Sequence, residues 1–153
     1  RDNRTLFVTS DPSFEEELLK FYEEYLAASD GELPLEQSRF RLGDDTGRTF
    51  FAFLDRLEQQ QPRPLALKGQ ITGPFTLTAG LKDEKDQLVL YDSRLRDVVV
   101  KTLALKAQWQ VERLARSGLP TIVFIDEPAC SNPDQNIAAP RNSRKSKAGS
   151  GVA

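Results

Sequence analysis

The sequence predicts an α/β fold built on a parallel sheet with crossover helices, and three observations predict it. Segments with strand and helix periods alternate between residues 5 and 125 and are joined by short connections, the pattern of βαβ units. Thr121–Ile125 is a β-branched, continuously apolar run, as expected of a strand covered on both faces. Two polar motifs, Gln70–Pro74 and Asp126–Pro128, fall at the carboxyl ends of expected strands, where such folds gather their chemistry.

Taken in order, Thr5–Thr9 is a short β-prone stretch. Asp11 and Pro12 suit the N-cap and first position of a helix, because proline's missing N–H costs nothing there. Phe14, Leu18, Phe21, Tyr22, Tyr25 and Leu26 recur at spacings of three and four, an apolar stripe that Ser29–Gly31 ends. Residues 32–47 contain Pro34, Gly43 and Gly47 and predict a loop with at most one helical turn. A second helix is expected over residues 46–60 and is stopped by Pro62 and Pro64.

Leu65–Ile71 alternates as a strand, with Leu65, Leu67 and Ile71 on one face and Lys68 and Gln70 on the other. The turn Thr72-Gly73-Pro74 leads into a short helix to about Leu81, residues 82–87 read as a solvated loop, and Leu88–Tyr91 as a short extended piece. Asp92 is placed to cap the longest helix, Ser93–Ser117. Its apolar side is Leu95, Val99, Leu103, Ala107, Val111 and Leu114, with Gly118 as the C′ residue and Pro120 blocking continuation. Trp109 reads as core and Tyr91 as rim, while Arg94 and Arg96 read as a solvated face.

Composition narrows the function. The chain has 153 residues, 39% hydrophobic and 29% charged, as one globular domain should. Net charge is −2, but residues 131–153 hold Asp134 against Arg141, Arg144, Lys145 and Lys147, leaving −5 for residues 1–130. That body has no basic face of the kind nucleic acid demands, and no run approaches the roughly 20 apolar residues of a membrane helix. One cysteine makes no internal disulfide, so the expected setting is cytoplasmic. The sequence contains no histidine, which removes His-based acid–base chemistry and His metal ligands from these residues. It contains no methionine either, not even at residue 1, so the chain is expected to be a fragment or to have lost methionines. Residues 1–130 form the expected domain. The polar, basic segment 131–153 has almost no large apolar side chain, so disorder is expected there.

The most specific run is Leu67–Leu81, LKGQITGPFTLTAGL. Gly73 allows close backbone approach, Pro74 pre-sets the first helical turn, and the N–H groups of the helix start suit an anionic or carbonyl oxygen of a ligand. An ordinary strand-to-helix turn has the same needs. In the second motif Asp126 and Glu127 cannot face the same way, because strand neighbours alternate. One suits a ligand ammonium and the other the orientation of a neighbour; a solvated strand end is the plainer alternative. Lys68 is costly to bury unless paired, and Asp126 is a reachable partner if that face lines a barrel; the alternative is that this part of the strand is exposed. Cys130 by itself is more often inert than a ligand.

Three segments in order look familiar: Lys68–Thr76, the Tyr91–Asp97 helix start, and Gly118–Ala129. Together they resemble the C-terminal catalytic domain of cobalamin-independent methionine synthases. The likeness is greatest to its short single-domain relatives, in the barrel superfamily shared with uroporphyrinogen decarboxylase and the corrinoid-linked methyltransferases. It covers residues 64–129 clearly and 5–60 more loosely. The resemblance implies a (β/α)8 TIM-type barrel, of which this chain would be roughly the N-terminal half, since a complete one takes roughly 250 residues. It also implies zinc that activates a small-molecule thiol such as homocysteine for attack on a methyl donor. Asp126 would contact the substrate amino group, with Glu127, Lys68, Gln70, Thr72, Gly73 and Pro74 around the substrate. The family's zinc ligands, a histidine and cysteines on later strands, are missing here, so the expectation is a methyltransferase-family fragment inactive alone. The alternatives are a decarboxylase-like or corrinoid-linked relative, or a non-catalytic half-barrel that associates through open sheet edges.

Overall fold

The computed structural model describes residues 6–131, so the expected tail lies almost entirely outside the described residues. The fold is mixed α/β. In chain order it comprises β1 (Leu6–Phe7), α1 (Phe14–Ser29), α2 (Arg48–Gln59), β2 (Leu67–Thr72), α3 (Pro74–Gly80), β3 (Lys82–Asp83), α4 (Ser93–Ala115) and β4 (Thr121–Asp126). Short 3-10 turns lie at Leu35–Gln37, Val89–Tyr91 and Pro128–Ser131.

The strands pair in parallel, as expected, but as two separate ladders. β2 pairs β4 from Leu67↔Thr121 to Thr72↔Asp126, and β1 pairs β3 through Leu6↔Lys82 and Phe7↔Asp83. Residues 82–83, expected in a loop, are drawn into the second ladder. Val89–Tyr91 closes as a 3-10 turn where an extended piece was expected, which lets Val89, 1% exposed, drop into the core.

Several boundaries move for identifiable reasons. α1 begins at Phe14 rather than Pro12, because the Asp11 carboxylate takes Ser13 N–H (2.8 Å) and Ser13 Oγ–H (2.7 Å) in a local turn. β2 begins at Leu67. Leu65, expected on its buried face, is 93% exposed, set between Pro64 and the first ladder bond, Leu67 N–H to Pro120 O at 2.8 Å. β4 is not buried on both faces as expected: Ile122 (56%) and Phe124 (47%) are exposed on one face, and on the other Val123 is partly covered while Ile125 is 60% exposed. Gly118 supplies the left-handed residue (φ +74°) after α4, one position later than the sequence suggests.

The core sits between α1, α2, α4 and the 33–42 segment. Phe21, Ala28, Leu35, Phe40, Leu105 and Trp109 form its centre. A second cluster, Leu57, Leu67 and Leu114, ties α2 and α4 to β2, and a third, Val89, Leu95 and Val99, packs beneath Phe7, Phe14 and Leu77. On α4 the apolar stripe was expected to include Val111, which is instead exposed. A string of four-residue steps drifts around a helix of 3.6 residues per turn, and Leu105 and Trp109 take the inward positions. Asp92 caps α4 as predicted, accepting from Arg94 N–H (2.9 Å) and Leu95 N–H (3.1 Å). Asp92→Ala is expected to lower stability by about 1 kcal/mol, read as a lower urea midpoint with unchanged slope. No described helix is long and apolar enough to cross a membrane.

Candidate functional site

Alternation along β2 sends Leu67, Gly69 and Ile71 toward α4 and leaves Lys68, Gln70 and Thr72 on the opposite, open face. The register with β4 sets Lys68 beside Ile122, Gln70 beside Phe124 and Thr72 beside Asp126. Four of the seven predicted site residues, Lys68, Gln70, Thr72 and Asp126, thus share one sheet face, with Thr72 and Asp126 at its carboxyl end and Lys68 near the amino end.

They are linked in a row. Lys68 Nζ lies 4.7 Å from the centre of the Phe124 ring and donates to Gln70 Oε1 at 3.3 Å. The Gln70 side-chain amide donates to the Asp126 carboxylate. The direct Lys68–Asp126 pair expected from sequence is therefore replaced by a relay through Gln70. Burying a lysine is avoided because this face is open, and the Phe124 ring offers its ammonium a partner.

Glu127 points the other way, as alternation requires. Its Oε1 accepts the Phe75 N–H at 3.0 Å and its Oε2 the Thr76 N–H at 2.7 Å. These are the start-of-helix donors that the sequence reading left for a ligand oxygen; a carboxylate of the same chain takes them. Partial burial pushes the Glu127 carboxyl up, but the bonds from Thr76 and Phe75 outweigh it and hold it below the usual glutamate range. Gly73 N–H donates to Asp126 O at 2.7 Å, and Ala129 N–H to Thr76 Oγ1 at 3.2 Å. Gly73 is extended (φ −74°, ψ 159°), so glycine is needed there for space: a Cβ would run into the Glu127 carboxyl. Pro74 occupies the first helical position as predicted.

Sequence reasoning missed Phe124, which carries the lysine, Thr76, whose hydroxyl closes the turn, and Gln110. The Gln110 side-chain amide reaches Gln70 O at 3.4 Å, and a Cβ on Gly69 would collide with it. A glycine flanked by Lys68 and Gln70 in a strand was the one signal for such an approach. Tyr91, with half its surface exposed, and Trp109, with 1%, take the rim and core places expected.

The zinc centre that the resemblance implies does not fit these residues. The sequence has no histidine, and its one cysteine, Cys130, is exposed. Among the described residues no three His, Cys, Asp or Glu side chains converge to hold a metal. What fold and site define is a mixed α/β chain whose paired parallel strands present an amide–carboxylate pair on an open face. Comparison with family models, with curated proteins and with solved structures found no match to this chain.

Proposed function

We propose that the chain is part of a methionine synthase-like (β/α)8 barrel that carries the amino-acid subsite of a thiol methyltransferase and is inactive by itself. The observation that carries this reading is the Thr72↔Asp126 register, with Gln70 donating to Asp126 on the open face. An ammonium brought to that face meets a carboxylate already oriented by an amide, and charge-assisted bonds of that kind are the stronger ones. The methyl donor, the zinc and the ligands for it lie outside this proposal's residues, so no chemical step is assigned to them. The resemblance of Lys68–Thr76 and Gly118–Ala129 supplies the substrate class.

The test is titration of the isotope-labelled chain with L-homocysteine at millimolar levels, followed by NMR. Shifts confined to Gln70, Thr72 and Asp126, reached only at higher ligand concentration in Asp126→Asn, are expected. Shifts elsewhere, or binding indifferent to Asp126→Asn, overturn the subsite. One tightly bound zinc per chain overturns the inactive part.

A half-barrel that associates with itself is a second reading, favoured by the exposed Ile122 and Phe124 beside strand edges that no other described strand pairs. Sedimentation as a monomer across the accessible concentration range counts against it.

A further inference from the structure

We infer that Glu127 is a positioning residue for the Gln70–Asp126 pair, acting through the start of α3 rather than by touching a ligand. Four bonds cross between the ends of β2 and β4: Glu127 to the Phe75 and Thr76 amides, Gly73 N–H to Asp126 O, and Ala129 N–H to Thr76 Oγ1. They lock residues that are sequence neighbours of the site, since Gly73 follows Thr72 and Glu127 follows Asp126. Successive side chains on an extended backbone point to opposite sides. Fixing Glu127 against α3 therefore fixes the direction in which Asp126 leaves the backbone toward the open face. Each Glu127 oxygen already accepts an amide, and the absence of a Cβ at Gly73 is what admits the carboxylate. The arrangement costs the site nothing in charge at the open face, because the carboxylate is turned toward the helix.

Only the ligand arm of the test rests on the amino-acid subsite proposed above. NMR spectra are compared for the wild type, Glu127→Gln, Asp126→Asn and the double variant, with circular dichroism to verify folding. In the wild type the Phe75 and Thr76 amide protons are expected to move together during acid titration, and this movement is absent in Glu127→Gln. Glu127→Gln is also expected to shift the Gln70 side-chain amide and the Asp126 carboxyl resonances. In titrations with L-homocysteine Asp126→Asn weakens binding by removing the direct contact, and Glu127→Gln weakens it roughly tenfold or more, the usual cost of losing an outer-layer partner. The double variant is no weaker than the weaker single, because both act at one carboxylate.

Amides that ignore Glu127, or Gln70 and Asp126 resonances that stay put in Glu127→Gln, overturn the inference. Additive losses of affinity overturn it too, since they make Glu127 a direct ligand. If the wild type does not bind homocysteine, the subsite fails, and the two ligand-free readouts still decide the part played by Glu127. Should Glu127→Gln unfold, Thr76→Val removes the hydroxyl that Ala129 N–H meets and that also bonds the Glu127 carboxylate. Unmoved Gln70 and Asp126 resonances in that variant then overturn the inference.

Discussion

Replacing Trp109 with alanine is expected to cost about 3–5 kcal/mol, the range for emptying a large aromatic site in a core. The indole is 1% exposed and touches two further rings, Phe50 at 5.5 Å and Phe51 at 6.2 Å between centroids. Its Nε1–H donates to Glu36 Oε2 at 3.1 Å, so truncation also strips a partner from that carboxylate. The rings come from α2 and α4, and the cluster extends to Phe21 and Phe40. No single neighbour can swing in to fill the space, so the cavity persists. A typical domain has only about 5–15 kcal/mol in hand, so the variant should unfold at low denaturant or populate a loosely packed state. Chemical denaturation followed by tyrosine emission, which does not depend on the lost tryptophan, measures the difference. A loss below about 1 kcal/mol would mean that this aromatic cluster is not the centre of the fold.

Gly73→Ala is expected to lower stability by about 1–3 kcal/mol, the cost of leaving polar groups without their partner. The backbone angles of Gly73 suit alanine, so the cost is not conformational. It arises because the added Cβ evicts the Glu127 carboxylate, which surrenders the Phe75 and Thr76 amides together. The pH dependence identifies the cause. The folded-state pKa of Glu127 is depressed, so its contribution is present above the ordinary glutamate range and is lost as pH falls through the folded value. The stability gap between wild type and Gly73→Ala should therefore be full near neutrality and close on the acid side. A gap that stays constant to low pH would place the damage elsewhere.

Much of the chain was legible before any coordinates. The Phe14–Tyr25 stripe (though not Leu26, which is 57% exposed), the Asp92 cap, Pro74 at the start of a helix and the apolar run from Thr121 each follow from chemistry that acts within a few residues. So did the alternation that separates Asp126 from Glu127, because it is a property of extended backbone. The pairing of Lys68 was misread, since whether a mid-strand lysine is buried depends on what covers the sheet. The coverage of β4 was misread for the same reason.

The sequence by itself determined the order and type of α1, α2, β2, α3, α4 and β4, the parallel sense of the strands, and which residues stand at the carboxyl ends of β2 and β4. Local sterics, caps and side-chain periods are enough for that. Only the tertiary structure decided that the strands divide into two ladders, that Gln70 rather than Lys68 meets Asp126, and that Glu127 occupies the start of α3. Each of these depends on groups about fifty or more residues apart in the chain arriving within bonding distance. No local pattern encodes which of several nearby donors a carboxylate will find, because that choice is made by packing.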